Sequence, residues 1–236
     1  MIKAPMDHNK LLKRIANEKF KPIGIIQDGK SRVFLFDKGW YTIVIEFQPS
    51  SFSKGTYLNI GVDLHFYPRD YFTFTCGYRE SGFEEFENEQ DFAKRVEELC
   101  DLSIERIRQL EIKFKDPKAG IRTLNNEKEK DAWRYYDLAV LHALEGNQNK
   151  ALRFFKKVSG EKCEYDFEYE RKKITDDHIR LIRDKSSFYE NVKSINANTR
   201  QLKNLPLFDD FDTVFMVLAE EKGRGLKSWW KKILDI

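Results

Sequence analysis

The fold is read from Thr56-Tyr57-Leu58-Asn59-Ile60-Gly61-Val62-Asp63-Leu64-His65-Phe66-Tyr67. Leu58, Ile60, Val62, Leu64 and Phe66 occupy alternate positions, and Tyr57, Asn59, Gly61, Asp63, His65 and Tyr67 take those between. Successive side chains of a strand point to opposite faces, so the stretch predicts a strand with one apolar and one polar face. An antiparallel sheet accommodates that division, whereas parallel sheets are covered on both sides. Upstream, Trp40-Tyr41-Thr42-Ile43-Val44-Ile45-Glu46-Phe47-Gln48 reads as its neighbour; downstream, Tyr71-Phe72-Thr73-Phe74-Thr75-Cys76-Gly77-Tyr78 reads as the next. A tight turn at Pro68-Arg69-Asp70 would set Asp63 opposite Thr75, His65 opposite Thr73 and Asn59 opposite Arg79, with Phe72, Phe74 and Cys76 on the apolar face.

Outward from this meander, Asp7 is placed to cap a first helix through Leu11, Leu12 and Ile15. Ile23–Ile26 and Arg32–Phe36 read as two strands joined at Asp28-Gly29, a hairpin dipeptide. Pro49–Gly55 is a Ser-rich loop. The acids Glu84, Glu85, Glu87, Glu89 and Asp91 precede a long helix and suit its positive N-terminal dipole. Phe92, Val96, Leu99, Leu102, Ile104, Ile107 and Leu110 give that helix an apolar stripe suited to cover the sheet. Asp116-Pro117-Lys118-Ala119-Gly120 breaks the chain. The fold class expected is therefore α+β: an N-terminal helix, an antiparallel sheet of four or five strands and a long covering helix over residues 1–115, then an all-helical part over 116–236.

In the second part, residues 131–158 read as a helical hairpin with Gly146 as the left-handed cap between helices. Tyr135, Leu138, Ala139, Gly146, Ala151 and Phe155 fall at the spacing of a tetratricopeptide unit, which this hairpin resembles. No second copy follows at a fixed interval, and arrays of such units need about three. Glu161–Glu170 reads as charged and irregular, with Thr175 capping the helix after it. At the C-terminus Leu226, Trp229, Trp230 and Ile233 recur at helical spacing, making Trp229 and Trp230 candidate partner-binding residues.

The run Trp40-Tyr41, Gln48-Pro49-Ser50 and Tyr57-Leu58-Asn59-Ile60-Gly61-Val62 resembles an uncharacterised bacterial domain of unknown function, over about the first half of the chain. The resemblance implies a fold and a bacterial origin and carries no activity.

The 42 basic and 39 acidic residues nearly cancel, to +3. That is not the concentrated basic face of a nucleic-acid binder. Three Cys, far apart in sequence, suit reduced thiols rather than a disulfide framework. Met1–Pro5 reads as no apolar leader, and no apolar run approaches a membrane span, so a cytoplasmic location is expected.

The four His are isolated, and no metal-binding spacing, phosphate loop or nucleophile elbow is present. No cofactor or metal is expected. What chemistry the sequence offers lies on the polar sheet face. Glu46, Asp63 and His65 are the catalytic candidates, since Asp63 and His65, two apart, project together and suit an acid–base pair. Asn59, Thr75 and Arg79 are the ligand-binding candidates, and Gly61 would let a ligand approach the backbone. Asp37 followed by Glu46-Phe47-Gln48 loosely follows the order of a restriction-type nuclease, with Gln48 in place of the usual lysine. The expected function is a non-enzymatic protein-binding module of adaptor or immunity type, with a protein partner or self-association. The alternative is a hydrolase or metal-dependent nuclease working from the polar face.

Overall fold

The computed structural model describes residues 7–128 and 130–215. Trp229 and Trp230 lie outside the described residues. The chain divides into two compact units. The first runs to His65 and resumes over Arg69–Ile112; the second takes Phe66–Pro68 and the chain from Lys113 onward.

The first unit begins with α1 (His8–Phe20), capped by Asp7, whose carboxylate accepts the Asn9 N–H. Ile23, expected to open a strand, instead ends a short 3-10 turn over Lys21–Ile23, because Pro22 fixes a helical backbone there, and the strand begins only at Ile26. Six strands follow: β1 (Ile26–Gln27), β2 (Val33–Asp37), β3 (Tyr41–Gln48), β4 (Gly55–Leu64), β5 (Cys76–Arg79) and β6 (Glu84–Glu85). All pair antiparallel, in the order β1-β2-β3-β4-β5, with β6 joined to the start of β4. The fold is α+β, with an N-terminal helix, this sheet and a helical second part.

The longest pairing, β3 with β4, runs from Tyr41↔Leu64 to Gln48↔Tyr57. It places Ile43, Ile45 and Phe47 beside Val62, Ile60 and Leu58, all at most 1% exposed. Phe20 of α1 packs on this face, its ring 5.2 Å from Phe34 and 6.3 Å from Phe47. The long helix α2 (Glu89–Lys113) buries Phe92, Val96, Leu99, Cys100, Ser103, Ile107 and Leu110. Ion pairs pin it at intervals: Arg95 to Glu84, Arg106 to Glu80, and Glu111 to Lys38.

The register of β5 is the expected one, Asn59↔Arg79 and Val62↔Cys76. The tight turn at Pro68-Arg69-Asp70 is not formed. β4 ends at Leu64, and Phe66 and Tyr67 leave the sheet to be buried in the second unit, 0% and 6% exposed. Two aromatic rings gain more from burial in that core than from two further rungs at the end of the sheet.

The second unit is helical: α3 (Pro117–Asn126), α4 (Ala132–Leu144), α5 (Gln148–Ser159), α6 (Asp166–Leu181), α7 (Lys185–Leu202) and α8 (Phe211–Phe215). The break expected at Asp116-Pro117 is also a helix start. Asp116 accepts the Ala119 N–H at 2.7 Å, and Pro117 sits at the first helical position, where its missing N–H costs nothing. The α4–α5 hairpin turns at Gly146, whose φ is +76°. The stretch expected to be irregular is helical from Asp166. Glu168 reaches back to accept the N–H groups of Glu164 and Tyr165, which holds its carboxyl below the usual carboxylate range. Thr175, expected as a cap, lies mid-helix with its hydroxyl on the Arg171 carbonyl.

At the centre of this unit Tyr136 donates its hydroxyl proton to the Phe66 carbonyl, 2.8 Å away. A carbonyl only accepts, so the His178 Nε2, 3.0 Å from the same oxygen, must donate to it. His178 Nδ1 is then a bare lone pair, buried without a partner between the rings of Phe155 and Phe188, each 5.2 Å away. Burial pushes the imidazole down to about 4 from an ordinary value of 6.5. The unfolded chain thus binds this proton more readily than the folded one. The stabilisation is complete above pH 6.5 and is lost as the pH falls toward 4. Urea melts over that range should show this group losing up to about 1.4 kcal/mol per pH unit, relative to His178→Asn. Equal slopes for the two proteins would contradict the assignment.

Candidate functional site

The polar face carries Thr42, Val44, Glu46 and Gln48 from β3 and Tyr57, Asn59, Gly61 and Asp63 from β4, with His65 just beyond. It divides into three zones with different chemistry.

At the His65 end the polar groups are sealed. Thr42, Asp63 and His65 are each 0% exposed. The Gly39 carbonyl lies 3.1 Å from His65 Nδ1 and the Thr42 hydroxyl 3.1 Å from Nε2, so both ring nitrogens face a partner. Asp63 accepts the Thr73 hydroxyl at 3.1 Å, and Arg69 donates to the same hydroxyl at 3.0 Å. The solvent-facing acid–base pair expected of Asp63 and His65 is therefore not present; both are spent on closing the loops at this end of the sheet. Thr75, a ligand-binding candidate, takes part in the same closure. Its N–H bonds the Val62 carbonyl at 2.7 Å, and its hydroxyl lies 3.4 Å from the Leu64 N–H.

The middle zone is a paired gap, with Gly61 opposite Gly77. The space is taken by Phe74. A Cβ on Gly61 would lie 2.4 Å from that ring and 2.8 Å from the Cys76 carbonyl oxygen; a Cβ on Gly77 would lie 2.9 Å from Phe74. Phe74 thus lies across the polar face and not, as alternation predicts, beside Cys76 on the apolar one. The approach expected for a ligand at Gly61 is occupied by the protein's own ring.

The third zone remains accessible. Asn59 donates to Glu46 Oε2 at 2.8 Å and to Gln48 Oε1 at 3.0 Å. Arg79 donates to Gln48 at 2.6 Å and to Asn59 at 3.3 Å, and its guanidinium lies 4.2 Å over the Tyr57 ring. The structure brings together Glu46, Asn59 and Arg79 but not with Asp63 or His65. Asp37 is equally remote. Val33, not Asp37, is opposite Glu46, so the two acids are separated by four residues of strand, about 13 Å. That spacing does not make a shared metal site. Among the described residues no group of three His, Cys, Asp or Glu side chains could hold a metal ion.

Beyond this zone lies the outer side of β5. Gly77, Tyr78 and Arg79 are exposed, and among the described residues no strand pairs with that side. The Glu80 N–H bonds back to the Leu58 carbonyl, so Tyr78 and Glu80 point their backbone at β4 and Gly77 and Arg79 point theirs outward. Tyr78 on one face is 44% exposed and Phe74 on the other is 41% exposed. Sequence reading did not single out this edge, because exposure of a strand depends on how many strands follow it.

Fold and site together define an α+β protein with an antiparallel sheet whose polar face is largely closed. No protein-family model matches the chain, and neither curated proteins nor solved structures give a match. No helix among the described residues is long and apolar enough to cross a membrane.

The glycine pair gives a direct check. Gly61→Ala should displace Phe74 and strain the β4–β5 ladder, since the nearest atoms include backbone that cannot rotate away. We expect a loss of about 1–3 kcal/mol in chemical denaturation, in the range of overpacked cores. An unchanged midpoint would show that the gap is open.

Proposed function

We propose that this is a non-enzymatic protein-binding module of adaptor type, acting in a bacterial cytoplasm, and that it binds an extended segment of its partner along the outer edge of β5. The bacterial setting rests on the resemblance carried by Trp40-Tyr41, Gln48-Pro49-Ser50 and the Tyr57–Val62 strand. The observation that carries the binding role is the exposure of Gly77, Tyr78 and Arg79 on a strand with no outer neighbour among the described residues. An added strand would meet outward backbone groups at Gly77 and Arg79, the Tyr78 ring on one face and the Phe74 ring on the other. Main-chain bonds then supply affinity and the two flanking rings supply selectivity, as in strand addition generally.

The hydrolase alternative on the polar face needs Asp63 and His65 in contact with solvent, and both are fully buried; the metal-dependent nuclease alternative needs Asp37 beside Glu46, and four residues of strand separate them. Affinity capture from the source cell, run in parallel on three proteins, separates the readings. The wild-type chain should retain a protein in stoichiometric amount. Tyr78→Lys, which charges the edge, and Arg79→Pro, which removes an outward N–H, should each retain at least tenfold less while melting as cooperatively as the wild type. A partner held equally by all three would exclude the β5 edge. A small molecule or metal recovered in place of a protein would favour the enzymatic reading.

A further inference from the structure

Phe66–Pro68 is treated by the helical unit as a bound peptide would be. Two successive backbone carbonyls are each met by a side-chain hydroxyl: Phe66 by Tyr136 of α4 at 2.8 Å, and Tyr67 by Thr199 of α7 at 3.0 Å. Both side chains are received as well. The Tyr67 ring stands edge-on to Trp133 at 4.9 Å and to Tyr136 at 5.9 Å, and the Phe66 ring lies 6.2 Å from Phe215 of α8. The receiving groups are themselves fixed. The His178 Nε2–H donates to the Tyr136 oxygen and so directs the Tyr136 proton at the Phe66 carbonyl. Thr199 is 0% exposed, and its single hydroxyl proton is shared between the Tyr67 carbonyl and the Ile195 carbonyl of its own helix, 2.8 Å away. Hydroxyls aimed at carbonyls, with aromatic walls for both side chains, are what a helical surface needs to hold a peptide segment.

We infer that α4, α7 and α8 form a peptide clamp for a segment carrying two adjacent aromatic residues, and that the chain keeps this clamp shut with its own Phe66–Pro68. The occupant is the strap of the same molecule. A tethered segment meets its site at an effective concentration on the order of millimolar, so a free peptide at micromolar concentration stays out while the strap is seated. The clamp is therefore an intramolecular latch, and it accepts the same chemistry in trans only once the strap is removed. It is distinct from the β5 edge, and neither proposal depends on the other.

The test uses the full chain with Phe66→Ala and Tyr67→Ala together, and a fluorescent peptide of the sequence Leu64–Arg69. The double variant should bind the peptide saturably, at least tenfold more tightly than it binds a version with both aromatics replaced by alanine. The wild type should bind neither at the same concentrations. A folded double variant with no saturable binding, or a wild type that binds equally well, would overturn the inference. If the double variant loses helical circular dichroism, the Leu64–Arg69 peptide should restore it and the alanine peptide should not; failure to restore it counts against the clamp. A second arm keeps the packing and removes only the donors. Tyr136→Phe with Thr199→Val should speed proteolytic cleavage between His65 and Thr75 severalfold, and an unchanged rate would overturn the role of the two hydroxyls.

Discussion

The pairing of β3 with β4 is the constraint on which the first unit depends. Eight opposed pairs, from Tyr41↔Leu64 to Gln48↔Tyr57, commit every side chain on both strands to one face or the other. A slip of one residue would put Ile43, Ile45 and Phe47 where Glu46 and Gln48 now lie, and expose the surface on which Phe20 of α1 packs. The neighbours on either side inherit this register. β2 follows through Leu35↔Val44 and Phe36↔Ile43, and β5 through Asn59↔Arg79. The same pairing sets Asn59 beside Glu46, which is why the accessible polar zone holds those two groups together.

The polar face shows how little of a sheet's hydrophilic side need remain a surface. Gly61 and Gly77 are paired, so no side chain stands between β4 and β5 at that rung, and Phe74 fills the depression. Beyond it, Asp63 and His65 are consumed in holding loop ends: a carbonyl at Gly39 and hydroxyls at Thr42 and Thr73. Buried polar groups of this kind are costly when unpaired, so their partners are structural necessities before they are anything else. An acid and a histidine two residues apart look alike in sequence whether they line a cleft or seal a loop.

The helical unit is governed by a different constraint. Its core includes the carbonyls of Phe66 and Tyr67, and a buried carbonyl needs a donor. Tyr136 and Thr199 supply those donors, and His178 fixes the direction of one of them. Apolar packing around the same point, by Phe155 and Phe188, leaves His178 no room for a charge, so the network also ties the stability of this unit to pH.

Alternation in Leu58–Leu64 was enough to determine that β4 exists and which of its faces is apolar, because strand periodicity is a local property of the chain. The cap at Asp7, the turn at Gly146 and most of the stripe on α2 were legible for the same reason: each depends on a few adjacent residues and on backbone geometry. The start of α6 was not, because its charged first turn is stabilised by Glu168 reaching back to two N–H groups rather than by any apolar pattern. Nor was the destination of Phe66 and Tyr67. They continue the alternation of β4 faithfully, and only the presence of a helical core with two hydroxyls at the right separation removes them from the sheet. The fate of Asp63 and His65, the placing of Phe74 over the glycine pair and the exposure of β5 were decided at that same level. Each is a matter of what lies across from a residue in space, and burial by distant segments leaves no periodicity in the sequence for a reader to find.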